Sequence, residues 1–214
     1  MKLYTYFRSS AAFRVRIALN LKGMSYEAIP VHLLRDGGQQ RGAAFSAVNP
    51  QQLVPVLEDE GHRVMQSLAI IEYLEETRPE PRLLPADAPG RARVRSLALA
   101  IGCEIHPLNN LRVLRYLTDV LDLSDEQKNR WYRHWVETGL AAVERRLSTE
   151  AETGSFCHGD RPTIADCFLV PQVFNAQRYQ CDLSAVPTLV RIHGQCMGLE
   201  PFKRAEPAAQ PDAE

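Results

Sequence analysis

Short apolar runs alternate with segments of helical spacing in the N-terminal part of the chain. Residues 2–7 are aromatic and β-prone, and apolar positions at helical spacing follow them. Residues 26–31 predict a second strand, and the polar, glycine-containing run 35–42 then interrupts regular structure. This pattern predicts the order strand, helix, strand, with a short helical piece next that ends at Asn49.

A hairpin and a third helix complete this half of the chain. Residues 54–57 and 63–65 are apolar runs on either side of an acidic turn with glycine at 61. Residues 67–77 again place apolar side chains on one helical stripe. The N-terminal half is therefore predicted to be an α/β domain with four strands and three helices.

A proline-rich segment separates the two halves of the chain. Residues 78–89 carry prolines at 79, 81, 85 and 89, which neither a continuous helix nor a central strand tolerates. We place the domain linker there. The sequence thus predicts one domain at residues 1–80 and a second domain at residues 86–214.

Helical spacing dominates the second domain, which we predict to be all-α. Ser124 and Gln127 have the spacing of a capping box, and Thr163 and Asp166 repeat it. The final ten residues are rich in Ala, Pro and Glu and predict a weakly ordered tail. For one long helix of this domain we predict an apolar stripe formed by Trp131, Trp135, Ala142 and Val143.

Charge and hydropathy exclude several classes of function. The 214 residues include 25 basic and 26 acidic side chains, so the formal net charge is −1, and nothing attracts the chain broadly to phosphate backbones or anionic lipid. No stretch approaches the roughly 18 apolar residues of a membrane helix, and the N-terminus lacks the apolar core of a signal peptide. We expect a cytoplasmic protein without nucleic-acid or membrane partners.

The five cysteines are odd in number, widely spaced and free of any C-x-x-C pair. This spacing disfavours a disulfide framework and a structural zinc site. We therefore expect no metal, and thiols that pack as small hydrophobic side chains.

Three helix or strand starts are candidates for ligand binding. Ser9 and Ser10 lie where the first strand becomes a helix, and free N–H groups with the helix dipole would stabilise an anion or thiolate there. A cis bond before Pro55 would expose the Val54 backbone to an extended ligand, and Ser67 would meet a carboxylate at another helix start. Each position also has an ordinary interpretation, as a helix N-cap or a harmless strand start.

The ordered combination of these features resembles the glutathione transferase superfamily over essentially the whole chain. The run YFRSSAAFRVRIAL at residues 6–19 is similar to the zeta-class signature, and residues 66–74 also resemble that class. The resemblance implies a thioredoxin-like N-terminal domain that binds glutathione, a helical C-terminal domain that binds the second substrate, and a homodimer. Ala11 and Ala12 depart from the family, which commonly has cysteine and often serine there, so glutathione must supply the reactive sulfur.

The resemblance also implies roles for individual residues. Ser9 and Ser10 are the expected catalytic residues at the sulfur. The full expected glutathione-binding set is Ser9, Ser10, Ala11, Phe13, Arg14, Gln40, Val54, Pro55, Gln66, Ser67, His106 and Asn110. The expected substrate-binding set is Arg8, Asn109, Asn110 and Arg178. Arg178 as a solvated helix residue and His106 as a packed histidine remain open interpretations.

The implied reaction is glutathione-dependent cis–trans isomerisation of maleylacetoacetate, a small diacid. A serine hydroxyl and a helix N-terminus favour the thiolate of a thiol whose ordinary pKa is about 8.5. Three alternatives stay open: isomerisation of maleylpyruvate, glutathione conjugation or α-haloacid dehalogenation, and a binding module without turnover. The Ser9–Ser10 pair argues against the binding module, which has no need of a donor at a thiol.

Overall fold

The computed structural model describes residues 1–214 and begins with a four-stranded mixed sheet. The central strand β1 runs parallel to β2, with Leu3 opposite Ala28, and antiparallel to β3. The strand order is β2-β1-β3-β4. The strands are β1 (Lys2–Thr5), β2 (Glu27–Pro30), β3 (Val56–Asp59) and β4 (His62–Met65).

Three α-helices accompany the sheet. They are α1 (Ser10–Leu21), α2 (Ala43–Ser46) and α3 (Ser67–Thr77). Helices α1 and α3 pack against each other, and both bury apolar faces that include Ile17 and Ile71. The resulting order β-α-β-α-β-β-α confirms the predicted thioredoxin-like α/β unit.

The second unit contains only helices, as predicted. It consists of α4 (Ala88–Glu104), α5 (Leu111–Asp119), α6 (Asp125–Thr149), α7 (Ile164–Arg178) and α8 (Pro187–Met197). Helix α4 packs against α6 and α7, and α7 is buried along most of its length. None of the helices has both the length and the apolar character that crossing a membrane requires.

The start of α6 confirms the predicted capping box, but its buried face differs from the prediction. The Gln127 amide N–H donates to Ser124 Oγ at 3.3 Å, and the Ser124 N–H donates to Gln127 Oε1 at 2.9 Å. The indole N–H of Trp131 donates to the Leu108 carbonyl, which keeps the ring at the edge of the core. Of the predicted positions Val143 is buried and Ala142 is exposed. The rest of the buried stripe is Tyr132, Val136, Leu140 and Leu147.

The C-terminal segment packs with the sheet unit. The first unit contains Met1–Leu83 together with Met197–Glu214, and the second contains Leu84–Cys196. The segment forms α9 (Glu200–Lys203), which buries the Phe202 side chain. Within the final ten residues, Pro207–Ala209 form a 3₁₀ turn, and Ala205 and Pro207 are buried. The predicted weakly ordered tail is therefore wrong, and the second unit ends well before the predicted residue 214.

Candidate active site

Ser9 forms the N-cap of α1 at the end of the loop that follows β1. Its backbone is extended, with φ −70° and ψ 116°, and its Oγ accepts a hydrogen bond from the Ala12 N–H at 3.2 Å. The hydroxyl proton is not used in that bond, so it is available to a ligand. Ser10 is the first helical residue and is buried. No acidic side chain lies in the first turn, so the positive end of the helix dipole is not neutralised there.

Arg8 lies immediately before this helix start. Its guanidinium Cζ is 4.7 Å from the centroid of the Phe7 ring, and its buried Nε atom has no hydrogen-bond partner. Stacking on an aromatic face leaves the edge of a guanidinium free for a planar anion. The structure thus places an arginine beside the Ser9–Ser10 pair.

A second helix start lies at Ser67, the first residue of α3. Gln66 caps it without a side-chain hydrogen bond to the helix, and its φ of 71° lies in the left-handed region. Few residues other than glycine adopt that conformation, which is concentrated at functional sites. The Gln66 Nε2 donates to Gln51 Oε1 at 2.9 Å. This strained turn sets the direction in which the first N–H groups of α3 point.

A buried hydrogen bond connects α1 to the start of α3. Arg14, on α1, donates from its NH1 to Ser67 Oγ at 3.2 Å, and both side chains are buried. Two of the predicted glutathione-binding residues, 53 positions apart in the chain, are thereby brought into contact. Two further residues of α1 that were predicted to bind glutathione differ in exposure. Ala11 is half-buried, whereas Phe13 is fully buried and packs in the core.

Gln40 and Val54 are both buried in the sheet unit. The Val54–Pro55 peptide bond is cis, which was one of the two interpretations of this dipeptide. The Oε1 atom of Gln40 is buried and accepts no hydrogen bond. Gly38, with a φ of 109°, allows this placement, because an added Cβ would lie 2.7 Å from the Gln40 Nε2. A buried acceptor without a donor is costly, and it indicates a site for a ligand N–H.

In the second unit, two predicted substrate residues lie next to one pair of stacked tyrosines. The rings of Tyr132 and Tyr179 are stacked with their centroids 3.6 Å apart. The guanidinium of Arg178, an exposed residue, is 5.3 Å from the centroid of the Tyr179 ring. The Asn109 Nδ2 donates to the Tyr132 carbonyl at 3.4 Å. Burial raises the pKa of Tyr132, so its hydroxyl stays protonated at neutral pH.

His106 and Asn110 lie at the two ends of the turn that carries Asn109. His106 begins the 3₁₀ turn His106–Asn109. Asn110 is the N-cap of α5, where its Oδ1 accepts from the Arg112 N–H at 3.1 Å. The Asn110 carboxamide therefore serves the helix with its oxygen and has only its NH₂ group left for a ligand.

The cysteines provide no nucleophile at either helix start. All five are free thiols; Cys103 is exposed and the other four are buried. Burial raises the pKa of Cys181 to about 11 and also raises the pKa of Cys157 and of Cys196. The sheet unit, which carries Ser9 and Ser10, contains none of the five cysteines.

Sequence reasoning missed Arg16 and Asp212, which hold the loop between β1 and α1. Arg16 is fully buried, and its NH2 donates to the Phe7 carbonyl at 2.9 Å. Asp212 Oδ2 accepts from the Phe7 N–H at 3.0 Å. A charged residue on the buried face of α1 was the one available signal for Arg16, and no local pattern marks Asp212.

Family models match both parts of the chain. Residues 3–82 match the model described as glutathione S-transferase, N-terminal domain. Residues 125–207 match the model described as glutathione S-transferase, C-terminal domain. The two matches cover most of the sheet unit and most of the helical unit.

Full-length relatives and solved structures also resemble the chain. A Vibrio cholerae protein described as a probable maleylacetoacetate isomerase is 52% identical over 211 residues, which are 99% of this chain and 97% of that protein. A solved structure described as holo maleylpyruvate isomerase, a bacterial zeta-class glutathione S-transferase, is 48% identical, covers 100% of both chains and has a TM-score of 0.97. A maleylacetoacetate isomerase structure from Methylobacterium extorquens AM1, with bound malonate and GSH, is 44% identical, covers 100% of both chains and has a TM-score of 0.96.

Proposed function

Because the chain belongs to the glutathione S-transferase family, in its zeta class, we propose that it is a glutathione-dependent isomerase that converts maleylacetoacetate to fumarylacetoacetate. This is a step of aromatic amino-acid catabolism. The observation that carries the proposal is the Ser9–Ser10 pair at the open positive end of α1, in a chain so similar to proteins described as isomerases of this kind.

The residues of the sheet unit fit glutathione. The orphaned Oε1 of Gln40 would accept an N–H of the tripeptide, and the backbone of Val54, next to cis-Pro55, would pair with its extended main chain. The first N–H groups of α3, with Ser67 and Arg14, would hold the γ-glutamyl carboxylate. His106 and Asn110 complete the proposed glutathione-binding residues, together with Ala11 and Phe13 on α1.

The serines act on the sulfur through hydrogen bonding and charge. When bound, glutathione supplies the nucleophilic sulfur for reversible addition to the cis double bond of the substrate. The hydroxyl of Ser9 or of Ser10 donates to that sulfur and, with the N-terminus of α1, lowers the thiol pKa from its ordinary value of about 8.5. Serine is not a general base here, because a hydroxyl donor stabilises the anion without taking up a proton.

Cationic and amide side chains would bind the two ends of the substrate. Arg8, beside the serines, and Arg178 present guanidinium groups that engage a carboxylate through two parallel hydrogen bonds. Asn109 and Asn110 add neutral donors. Arg8, which immediately precedes the serines, would hold one end of the diacid near the sulfur.

Isomerisation of maleylpyruvate is the second candidate, because a structure described as that enzyme matches the whole chain at a TM-score of 0.97. The two substrates need the same chemistry and differ in length. Assays of both compounds side by side, with and without glutathione, test the proposal. We expect glutathione-dependent turnover and a higher kcat/KM for maleylacetoacetate. Consumption of glutathione in stoichiometric amounts would point instead to conjugation.

We also propose a homodimer in the cytoplasm. The zeta-class resemblance supports the homodimer. A net charge of −1 gives no broad attraction to nucleic acid or anionic lipid, which fits a cytoplasmic protein. Light scattering coupled to size exclusion tests the dimer directly. A mass near that of one chain, 24.1 kDa, would contradict it.

A further inference from the structure

The peptide group of Phe7 is held from both sides by oppositely charged residues. Its N–H donates to Asp212 Oδ2 at 3.0 Å, and its carbonyl accepts from Arg16 NH2 at 2.9 Å. Asp212 lies 205 positions away in the chain. A loop peptide fixed by two charge-assisted bonds is held more firmly than one that bonds only to water.

Arg16 links this loop to the C-terminal segment. Its Nε donates to the Ala205 carbonyl at 3.0 Å, and its NH1 donates to Thr5 Oγ1 at 3.2 Å and to the Tyr6 carbonyl at 3.3 Å. Burial lowers the pKa of Arg16 to about 10, while the negative charge of Asp212 acts in the opposite direction. The guanidinium is therefore still cationic at neutral pH, and removing a compensating carboxylate from such a buried cation is costly.

The fixed peptide immediately precedes the two residues proposed to act on the sulfur and on the substrate. Arg8 and Ser9 follow Phe7 directly, and the Ser9 N–H donates to the Tyr6 carbonyl at 2.9 Å. A shift of the Phe7 peptide would move both side chains. A displacement of about 1 Å in a reacting group lowers the rate by up to roughly a hundredfold.

We propose that Asp212 is a positioning residue: it fixes the loop between β1 and α1 and thereby the placement of Arg8 and Ser9 for isomerisation. The proposal rests on the proposed function for its effect on turnover. It concerns the C-terminal segment, which the sequence predicted to be weakly ordered.

Three variants of the full-length protein test this role. Asp212→Ala removes the acceptor of the Phe7 N–H, and Asp212→Asn keeps an oxygen acceptor but loses the charge. Asp160→Ala is the matched control, because the Asp160 carboxylate likewise accepts a backbone N–H, from Ser155 at 3.1 Å, in the helical unit. For each, hydrogen exchange of the Phe7 amide is measured by NMR in the ligand-free protein, and kcat and KM are measured at saturating glutathione.

For Asp212→Ala we expect Phe7 exchange to accelerate and kcat/KM to fall by about five- to fiftyfold. Asp212→Asn should show a smaller loss, because a neutral acceptor restores the bond only partly, and Asp160→Ala should keep kcat/KM and Phe7 exchange. Faster exchange with unchanged kcat/KM in Asp212→Ala would overturn the proposal. So would unchanged exchange in that variant.

If Asp212→Ala does not fold, Asp212→Asn decides by the same two measurements, because its amide oxygen still accepts from the Phe7 N–H. Absence of isomerase turnover in the unmodified protein would contradict the proposed function. Unchanged Phe7 exchange would contradict the positioning role, whatever the reaction.

Discussion

Arg14 and Ser67 form a buried hydrogen bond of 3.2 Å that joins helix α1 to the first residue of helix α3. The two helices begin at the places proposed to bind two different groups of glutathione, the cysteine sulfur and the γ-glutamyl carboxylate. The bond therefore fixes Ser67 from the α1 side, and its hydroxyl proton stays available to a carboxylate.

Ser67→Ala is expected to weaken glutathione binding by about ten- to a hundredfold, because a hydrogen bond to a charged group contributes roughly 1.5–3 kcal/mol. Titration calorimetry measures this Kd directly. The turnover number at saturating glutathione should change little, since the γ-glutamyl end does not react. Ser46→Ala is the control, because the half-buried Ser46 hydroxyl accepts from Gln52 and is not among the residues proposed to bind glutathione. An unchanged Kd in Ser67→Ala would leave this serine only its structural hydrogen bond to Arg14.

Ser9→Ala or Ser10→Ala, whichever removes the donor to the sulfur, should lower turnover by roughly ten- to a thousandfold, the range for losing one preorganised donor. Ser9→Ala should also lower the free energy of unfolding by about 1 kcal/mol, because its Oγ caps α1. The control is Ser124→Ala, which removes the cap of α6 and should lose stability without losing turnover. Wild-type turnover in both variants, measured at saturating glutathione, would leave Ser9 a helix cap only and would contradict a role for Ser10 at the sulfur.

Arg8→Met and Arg178→Met should each lower kcat/KM for the diacid by about ten- to a hundredfold, because one charge-assisted contact to a carboxylate is lost. The Kd for glutathione should remain nearly unchanged. Arg191→Met is the control, since that exposed arginine bonds only to the Gly154 carbonyl. Steady-state kinetics with both substrates decide the matter, and an unchanged kcat/KM in both variants would assign these arginines to the surface.

No more than one thiol per chain should react rapidly with an aromatic disulfide reagent at pH 8, because Cys103 alone is exposed. Burial raises the pKa of Cys181 to about 11, which leaves on the order of one thiolate in a thousand at that pH. All five thiols should react after denaturation. Cys103→Ala should abolish the fast phase and keep full glutathione-dependent turnover. Turnover that persists without glutathione and disappears in Cys103→Ala would contradict a ligand-borne sulfur.

The sequence predicted well those features that depend on neighbours along the chain. Helix α3 begins and ends at the predicted residues 67 and 77, because its apolar stripe and its serine start are local signals. The capping box at Ser124 was readable for the same reason. The helix start at Ser9 and Ser10 was predicted because both serines belong to one short run at a strand-to-helix junction.

Features that depend on tertiary pairing were missed. The partners of Arg16 include Ala205, 189 positions away, and neither residue carries a periodic signal for the other. The α6 stripe was assigned to the tryptophans because of their apolar area, although Trp131 lies at the edge of the core where its N–H reaches a carbonyl. Hydrogen bonds between residues far apart in the chain determine where these side chains lie. The hydropathy pattern of the sequence carries no information about such bonds.

The return of residues 197–214 to the sheet unit has a consequence for synthesis. During translation the buried guanidinium of Arg16 lacks its Ala205 acceptor until the entire helical unit has left the ribosome. The N-terminal unit therefore completes its core after the helical unit has emerged, although domains generally fold in the order of synthesis. A nascent chain stalled before residue 205 should accordingly be more sensitive to protease in its N-terminal unit than the released protein.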